Sequence, residues 1–247
     1  MDDADINFWF DPVCPFAWLT SKWVRQVMDQ RDYTADWRFI SLRLINADVD
    51  YDAHFPPDYE AGHTAGLRLL RVAARTRAEH GGAAVGRLYE AFGAHIFDAA
   101  PRDTVDGGER GTRAFVEPML LEAGLPTDLA SALDDESFDA VIQTETDEGL
   151  GLTGKDVGTP IIQFNPPDGV AFFGPVISRL PSPEDSVRLW DHVIGLAEFA
   201  GFAELKRSLR ERPQLQALGW DPAADEAGAQ DDWHGGSRRQ KNEKGHA

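Results

Sequence analysis

The chain contains one cysteine, Cys14, and its neighbours determine what a lone thiol can do. It follows a bulky apolar run, Phe8, Trp9 and Phe10, and then Asp11 and Pro12, and it is followed directly by Pro15. Proline lacks the amide N–H that a first helical turn leaves unpaired, so Pro15 suits the start of a helix and Cys14 falls at its N-terminus. Free N–H groups of a first turn favour a thiolate, and comparable sites bring a thiol from about 8.5 into the range of roughly 3.5 to 7.5. The plain alternative is a buried small apolar residue, the usual fate of a free cysteine. A second feature favours chemistry: Gly158-Thr159-Pro160-Ile161 puts a Thr-Pro pair at the start of a late strand. A cis peptide at Thr159-Pro160 would set backbone beside the thiol to receive an extended thiol ligand, although only about 5–6% of X-Pro bonds are cis.

Two histidines belong with the candidates. His54 is expected in a loop after the second strand, and His95 near the end of an inserted helix. A neutral imidazole could orient or protonate a reduced substrate, while a local hydrogen bond on the surface or in the core is the commoner role of each. Phe16, Trp18 and Tyr59 could wall a planar substrate, although aromatics at helical spacing usually pack in a core. Gly149 to Lys155 satisfies G-x-G-x-x-G and nearly a phosphate loop, but Asp156 replaces the required Ser or Thr and the preceding residues look helical, so a helix end is the better reading. The acidic groups Asp134, Asp135, Glu136 and Glu145, Asp147, Glu148 lack the glycine and terminal glutamate of a calcium loop and read as solvated helix faces. No metal site is expected.

These residues need a frame. Residues 5–11 and 35–42 read as strands joined by a helix from Pro15 to about Gln30, whose apolar positions are Phe16, Leu19, Trp23, Val27 and Met28. Helical periodicity then dominates at 59–80, 83–98, 112–123 and 137–149. Strands return at 159–164 and 170–173 across an Asn-Pro-Pro-Asp-Gly turn. Ser182 caps a last helix with Val187, Trp190, Val193, Ile194 and Ala197 on its apolar face. The expected organisation is α/β: a split sheet domain from residues 1–56 and 154–212, an all-helical insert at 57–153, and a flexible tail at 213–247.

The order of these elements resembles the DsbA-like branch of the thioredoxin superfamily, over roughly residues 5–210. Phe8 to Pro15, with Trp18, Leu19, Thr20, Ser21, Lys22 and Trp23, looks most like the mycothiol-dependent nitroreductase family of actinobacteria. That family normally carries Cys-Pro-Trp-Cys, whereas Cys14-Pro15-Phe16-Ala17 keeps the nucleophile and loses the resolving cysteine. The resemblance implies a thiol-dependent oxidoreductase with mycothiol as co-substrate, Cys14 as nucleophile by a monothiol route, and Thr159-Pro160 against the thiol ligand. It implies a nitroaromatic or disulfide substrate. Kappa-class glutathione transferases and 2-hydroxychromene-2-carboxylate isomerases, with Ser-Pro-Tyr-Ala at this place, are the alternative, and a non-catalytic binding module is a third.

Composition limits the partners. With Lys plus Arg at 24 against Asp plus Glu at 42, the net charge of −18 opposes a phosphate backbone. No uninterrupted apolar run reaches the ~18 to 20 residues of a membrane span. The acidic start, Met1-Asp2-Asp3-Ala4-Asp5, is unlike a secretory signal, which gives a cytoplasmic expectation. The resemblance implies small-molecule partners, a thiol and an aromatic or disulfide substrate, with a homodimer left open.

Overall fold

The fold is that of a computed structural model describing residues 4–99, 107–154, 157–206, 211 and 213–221. Strand β1 (Ile6–Phe10) leads through α1 (Pro15–Met28) to β2 (Ala35–Phe39), which lies parallel to β1. Among the described residues six α-helices follow: α2 (Leu42–Ile45), α3 (Tyr51–His54), α4 (Tyr59–His80), α5 (Gly82–Gly93), α6 (Arg113–Glu122) and α7 (Asp139–Thr153). The chain then returns to the sheet as β3 (Ile161–Phe164) and β4 (Ala171–Phe173), and α8 (Pro183–Ala197) comes last. Sheet order is β2-β1-β3-β4, with β3 antiparallel to both of its neighbours. A parallel βαβ unit, a helical insertion and a closing ββα unit make this the expected DsbA-like thioredoxin fold.

Alternation along β1 explains how the sheet is covered. Ile6, Phe8 and Phe10 enter one apolar cluster with Trp37, Phe39, Ile162 and Phe164, while Trp9 turns to the other face with Ile40 and Ile161. On the first face Trp190 of α8 meets Trp23 of α1 and Phe164 of β3, each with ring centroids 5.3 Å apart. Burying such rings stabilises the fold by about 1.5–3 kcal/mol each. The larger cluster also takes in Leu69, Leu88, Val116 and Leu129, so sheet and inserted helices share one core.

On the second face, α7 lies over Trp9. A Cβ added at Gly149 would come within 3.0 Å of the indole, and Trp9 Nε1 donates to the Glu145 carbonyl at 2.9 Å. Glu145 itself is buried. Its carboxylate accepts from the Phe39 N–H at 2.8 Å and pairs with Arg77 at 2.7 Å and Arg38 at 3.5 Å, tying α7 to the end of β2.

Three local expectations change. The helix expected over 83–98 is α-helical only to Gly93; Ala94–Asp98 widen into a π-turn that brings Asp98 to Trp18 Nε1 (3.2 Å) and Lys22 Nζ (2.9 Å). His54 closes the short helix α3, which Asp50 caps, instead of lying in a loop. The tail expected from residue 213 begins docked, because Leu215 is 1% exposed and Gln214 N–H donates to the Ser178 carbonyl at 2.7 Å; residues 222–247 lie outside the described ones. The glycine-rich stretch is a helix end as expected: α7 stops at Thr153 and Gly154 follows at φ 113. Lys155 and Asp156 lie outside the described residues.

Candidate active site around Cys14

Cys14 is the N-cap of α1, at φ −89 and ψ 113, with Pro15 opening the helix. Its Sγ accepts from the Ala17 N–H at 3.4 Å and donates to the Thr159 carbonyl at 3.4 Å. Thr159 is fixed in turn, since its hydroxyl donates to the Trp9 carbonyl at 3.1 Å, and the Thr159-Pro160 peptide is cis. The first and third strands thus bring Cys14, Thr159 and Pro160 together.

Burial works against the expected thiolate. Cys14 is only 6% exposed, and burial pushes its thiol up to about 12; the Ala17 N–H opposes the shift and the nearby Asp11 charge adds to it. Withdrawing sulfur from water costs the charged form more than one helix end returns. Cys14 is therefore held as a thiol, and the proton it keeps is the one it donates to Thr159.

The remaining sequence candidates divide. Pro15 and Phe16 are half-buried on the first turn of α1, Phe16 against the core. Trp18 is 2% exposed, packed on the bare Cα of Gly93 and edge-on to Tyr89, so it is an interior residue and not an open substrate wall. His95 is turned to α6, where Nε2 lies 2.6 Å from Glu122 Oε2. His54 is half-buried at the end of α3. Tyr59 is 40% exposed and stacks on Phe55, with centroids 5.6 Å apart. It belongs to an aromatic group in which Tyr51 Oη lies 3.0 Å from His63 Nδ1 and Phe55 faces both residues. Burial, with Arg43 nearby, pulls His63 down to about 4, which makes it a neutral imidazole at pH 7.

Asp11 is the residue beside Cys14 that the sequence reading missed, and the aromatic group around His63 was missed as a group. Residues 51, 55, 59 and 63 recur every fourth position and are all aromatic, a signal that could have located the group. Asp11 is fully buried at the end of β1. Val13 N–H donates to its Oδ1 at 3.0 Å and Leu42 N–H to its Oδ2 at 2.7 Å, while its own carbonyl accepts from Cys14 N–H at 3.0 Å. Burial raises its carboxyl to about 7 against those two bonds. Among the described residues no three His, Cys, Asp or Glu side chains gather as metal ligands, and no helix is long and apolar enough to cross a membrane.

Residues 13–207 match the Rv2466c-like family, described as mycothiol-dependent nitroreductase Rv2466c. The chain belongs to that family. It is a thiol oxidoreductase by that membership. It is also 30% identical over 203 residues to the uncharacterized protein Rv2286c of Mycobacterium tuberculosis, covering 82% of this chain and 81% of that one. Among solved structures it is similar to a Pseudomonas syringae protein assigned as a protein-disulfide isomerase, with 17% identity, TM-score 0.45 and coverage of 77% of this chain and 92% of that one. DsbL of Salmonella enterica serovar Typhimurium shows 16% identity, TM-score 0.40 and coverage of 77% and 88%.

Proposed function

We propose that this family member works by a monothiol route at Cys14 with mycothiol as co-substrate, reducing a small nitroaromatic or a disulfide. The observation that carries the reading is the placement of the chain's only thiol, with Sγ between the Ala17 N–H and the Thr159 carbonyl. Ala17 stands where a resolving cysteine would, so an internal disulfide is out of reach and the second sulfur must come from solution. With a disulfide substrate, Cys14 sulfur bonds to one of its two sulfurs as the S–S bond breaks. The other half leaves as a thiolate and takes up the proton that Cys14 releases. Mycothiol then attacks the mixed disulfide at the substrate's sulfur, which frees Cys14 and leaves that half of the substrate bonded to mycothiol. With a nitroaromatic, two thiols give two electrons and two protons, so that the nitro group becomes nitroso plus water and the thiols end as a disulfide.

The Thr159-Pro160 backbone is the edge on which the backbone-like part of mycothiol would rest, and exposed Tyr59, stacked on half-buried Phe55, would offer aromatic surface to a planar acceptor. Burial of Cys14 requires that the thiol be uncovered as the ligand docks. A second reading draws on that same burial. A protonated Cys14 could hydrogen-bond a bound thiolate without becoming modified, as the serine of a kappa-class transferase would. Mycothiol-dependent reduction of a nitroaromatic by wild type and Cys14→Ser separates the two. Loss to background in the serine variant supports the covalent route; a serine variant that keeps most of the activity contradicts it and favours the transferase reading.

The family and the small-molecule site are consistent with a soluble cytoplasmic enzyme, and a homodimer is a separate question for its solution mass. The two-domain division at residues 57 and 153 is proposed on chain order, since the insertion occupies those residues while sharing its core with the sheet.

A further inference from the structure

The residue that governs Cys14 most directly is the buried carboxyl three positions before it. Asp11 receives N–H bonds from two separate segments, Val13 in the cysteine turn and Leu42 at the start of α2, and its carbonyl receives the Cys14 N–H. The fold also makes room for it. A Cβ at Gly66 of α4 would stand 2.7 Å from Asp11 Oδ1 and 2.8 Å from Val13 Cγ2, so only a glycine lets α4 close over this carboxyl. No cation is paired with Asp11 among the described residues, and a buried carboxylate held by backbone N–H groups alone keeps an unneutralised charge close to the sulfur.

We propose that Asp11 is a positioning residue for Cys14: its carboxyl clamps the cysteine turn to α2 under Gly66, and its ionisation restrains that of the thiol. The inference rests on Cys14 being the nucleophile. Among the described residues, the Asp11 charge acts on Cys14 at the N-cap of α1, Tyr51 on α3 and Tyr89 on α5; α4 meets it with Gly66 and α2 with a backbone N–H. Arg43 and His63 act next to Tyr51, and His63 is neutral there at pH 7. Two negative charges in one dry site repel, so each group ionises more easily while the other keeps its proton.

That coupling leaves a specific mark. The logarithm of the rate at which iodoacetamide alkylates Cys14 should rise with pH, flatten above about pH 7 as Asp11 ionises, and rise again. A purely structural carboxyl would leave a single unbroken rise. The test is this pH profile for full-length wild type and Asp11→Asn. The expected result is a wild-type shoulder that disappears in the variant, with alkylation at pH 8 faster by roughly tenfold, the effect of one pKa unit of coupling. Profiles of the same shape in both proteins would overturn the proposal. Should the variant not fold, infrared difference spectra of wild type decide. A carboxylic C=O band that titrates near neutral pH and shifts when Cys14 is alkylated supports the assignment, and a band indifferent to alkylation overturns it. A Cys14 that alkylates with the shoulder but forms no adduct with mycothiol disulfide would sink the proposed reaction while leaving the role of Asp11 intact.

Discussion

The thiol of Cys14 donates to the carbonyl of Thr159 at 3.4 Å, across 145 positions of sequence. The helix start and the late strand therefore meet at one proton. Removing that proton means giving up the hydrogen bond as well as charging a buried sulfur, which is why the helix end does not prevail. Iodoacetamide should accordingly label native Cys14 slowly at pH 7, and labelling should still be climbing at pH 10, below the midpoint near 12. Labelling that levels off by pH 8 and stays level to pH 10 would show an activated thiolate.

Thr159 is held by its hydroxyl on the Trp9 carbonyl. Thr159→Val removes that bond and should cost about 1 kcal/mol in urea unfolding. With its carbonyl less firmly fixed, the variant should also label faster at Cys14. Unchanged labelling would show that the Thr159 side chain does not set the position of its carbonyl.

Trp18 packs on Gly93 so closely that an added Cβ would come to 2.1 Å from the ring. Gly93→Ala should therefore destabilise by about 1–3 kcal/mol through overpacking and should disturb α1 just beyond Cys14. Thermal unfolding indistinguishable from wild type would contradict this packing.

Stability should carry the signature of Asp11. Its folded value of about 7 exceeds the ordinary 3.8, so the folded protein binds this proton more tightly than the unfolded chain. The stabilisation is complete below pH 3.8 and is lost as pH rises through 7. Relative to Asp11→Asn, wild type should lose up to about 1.4 kcal/mol per pH unit across that window. Urea midpoints followed from pH 5 to 8 check it, and parallel curves for the two proteins would refute the shift.

Much of this architecture was readable in the residues. The aromatic run of β1, the periodicity of α4 and the Ser182 cap of α8 each reflect local preference, and the structure places these elements within a few residues of expectation. The pairing of Cys14 with Thr159-Pro160 was readable too, because proline marks both segments. What escaped depends on contacts between distant segments. Asp11 gains its setting only when α4 lays Gly66 over it, and Trp18 sinks into the core only because Gly93 leaves a gap for its ring. The electrostatics of Cys14 escaped for the same reason: a helix N-terminus is visible in sequence, whereas the burial that outweighs it is not.

The most direct test of the covalent route is the intact mass of the protein after incubation with mycothiol disulfide. The account predicts one mycothiol added per chain, mapped to Cys14 by peptide digestion and released by reduced mycothiol. A protein that turns over substrate with mycothiol while its mass never changes would contradict it.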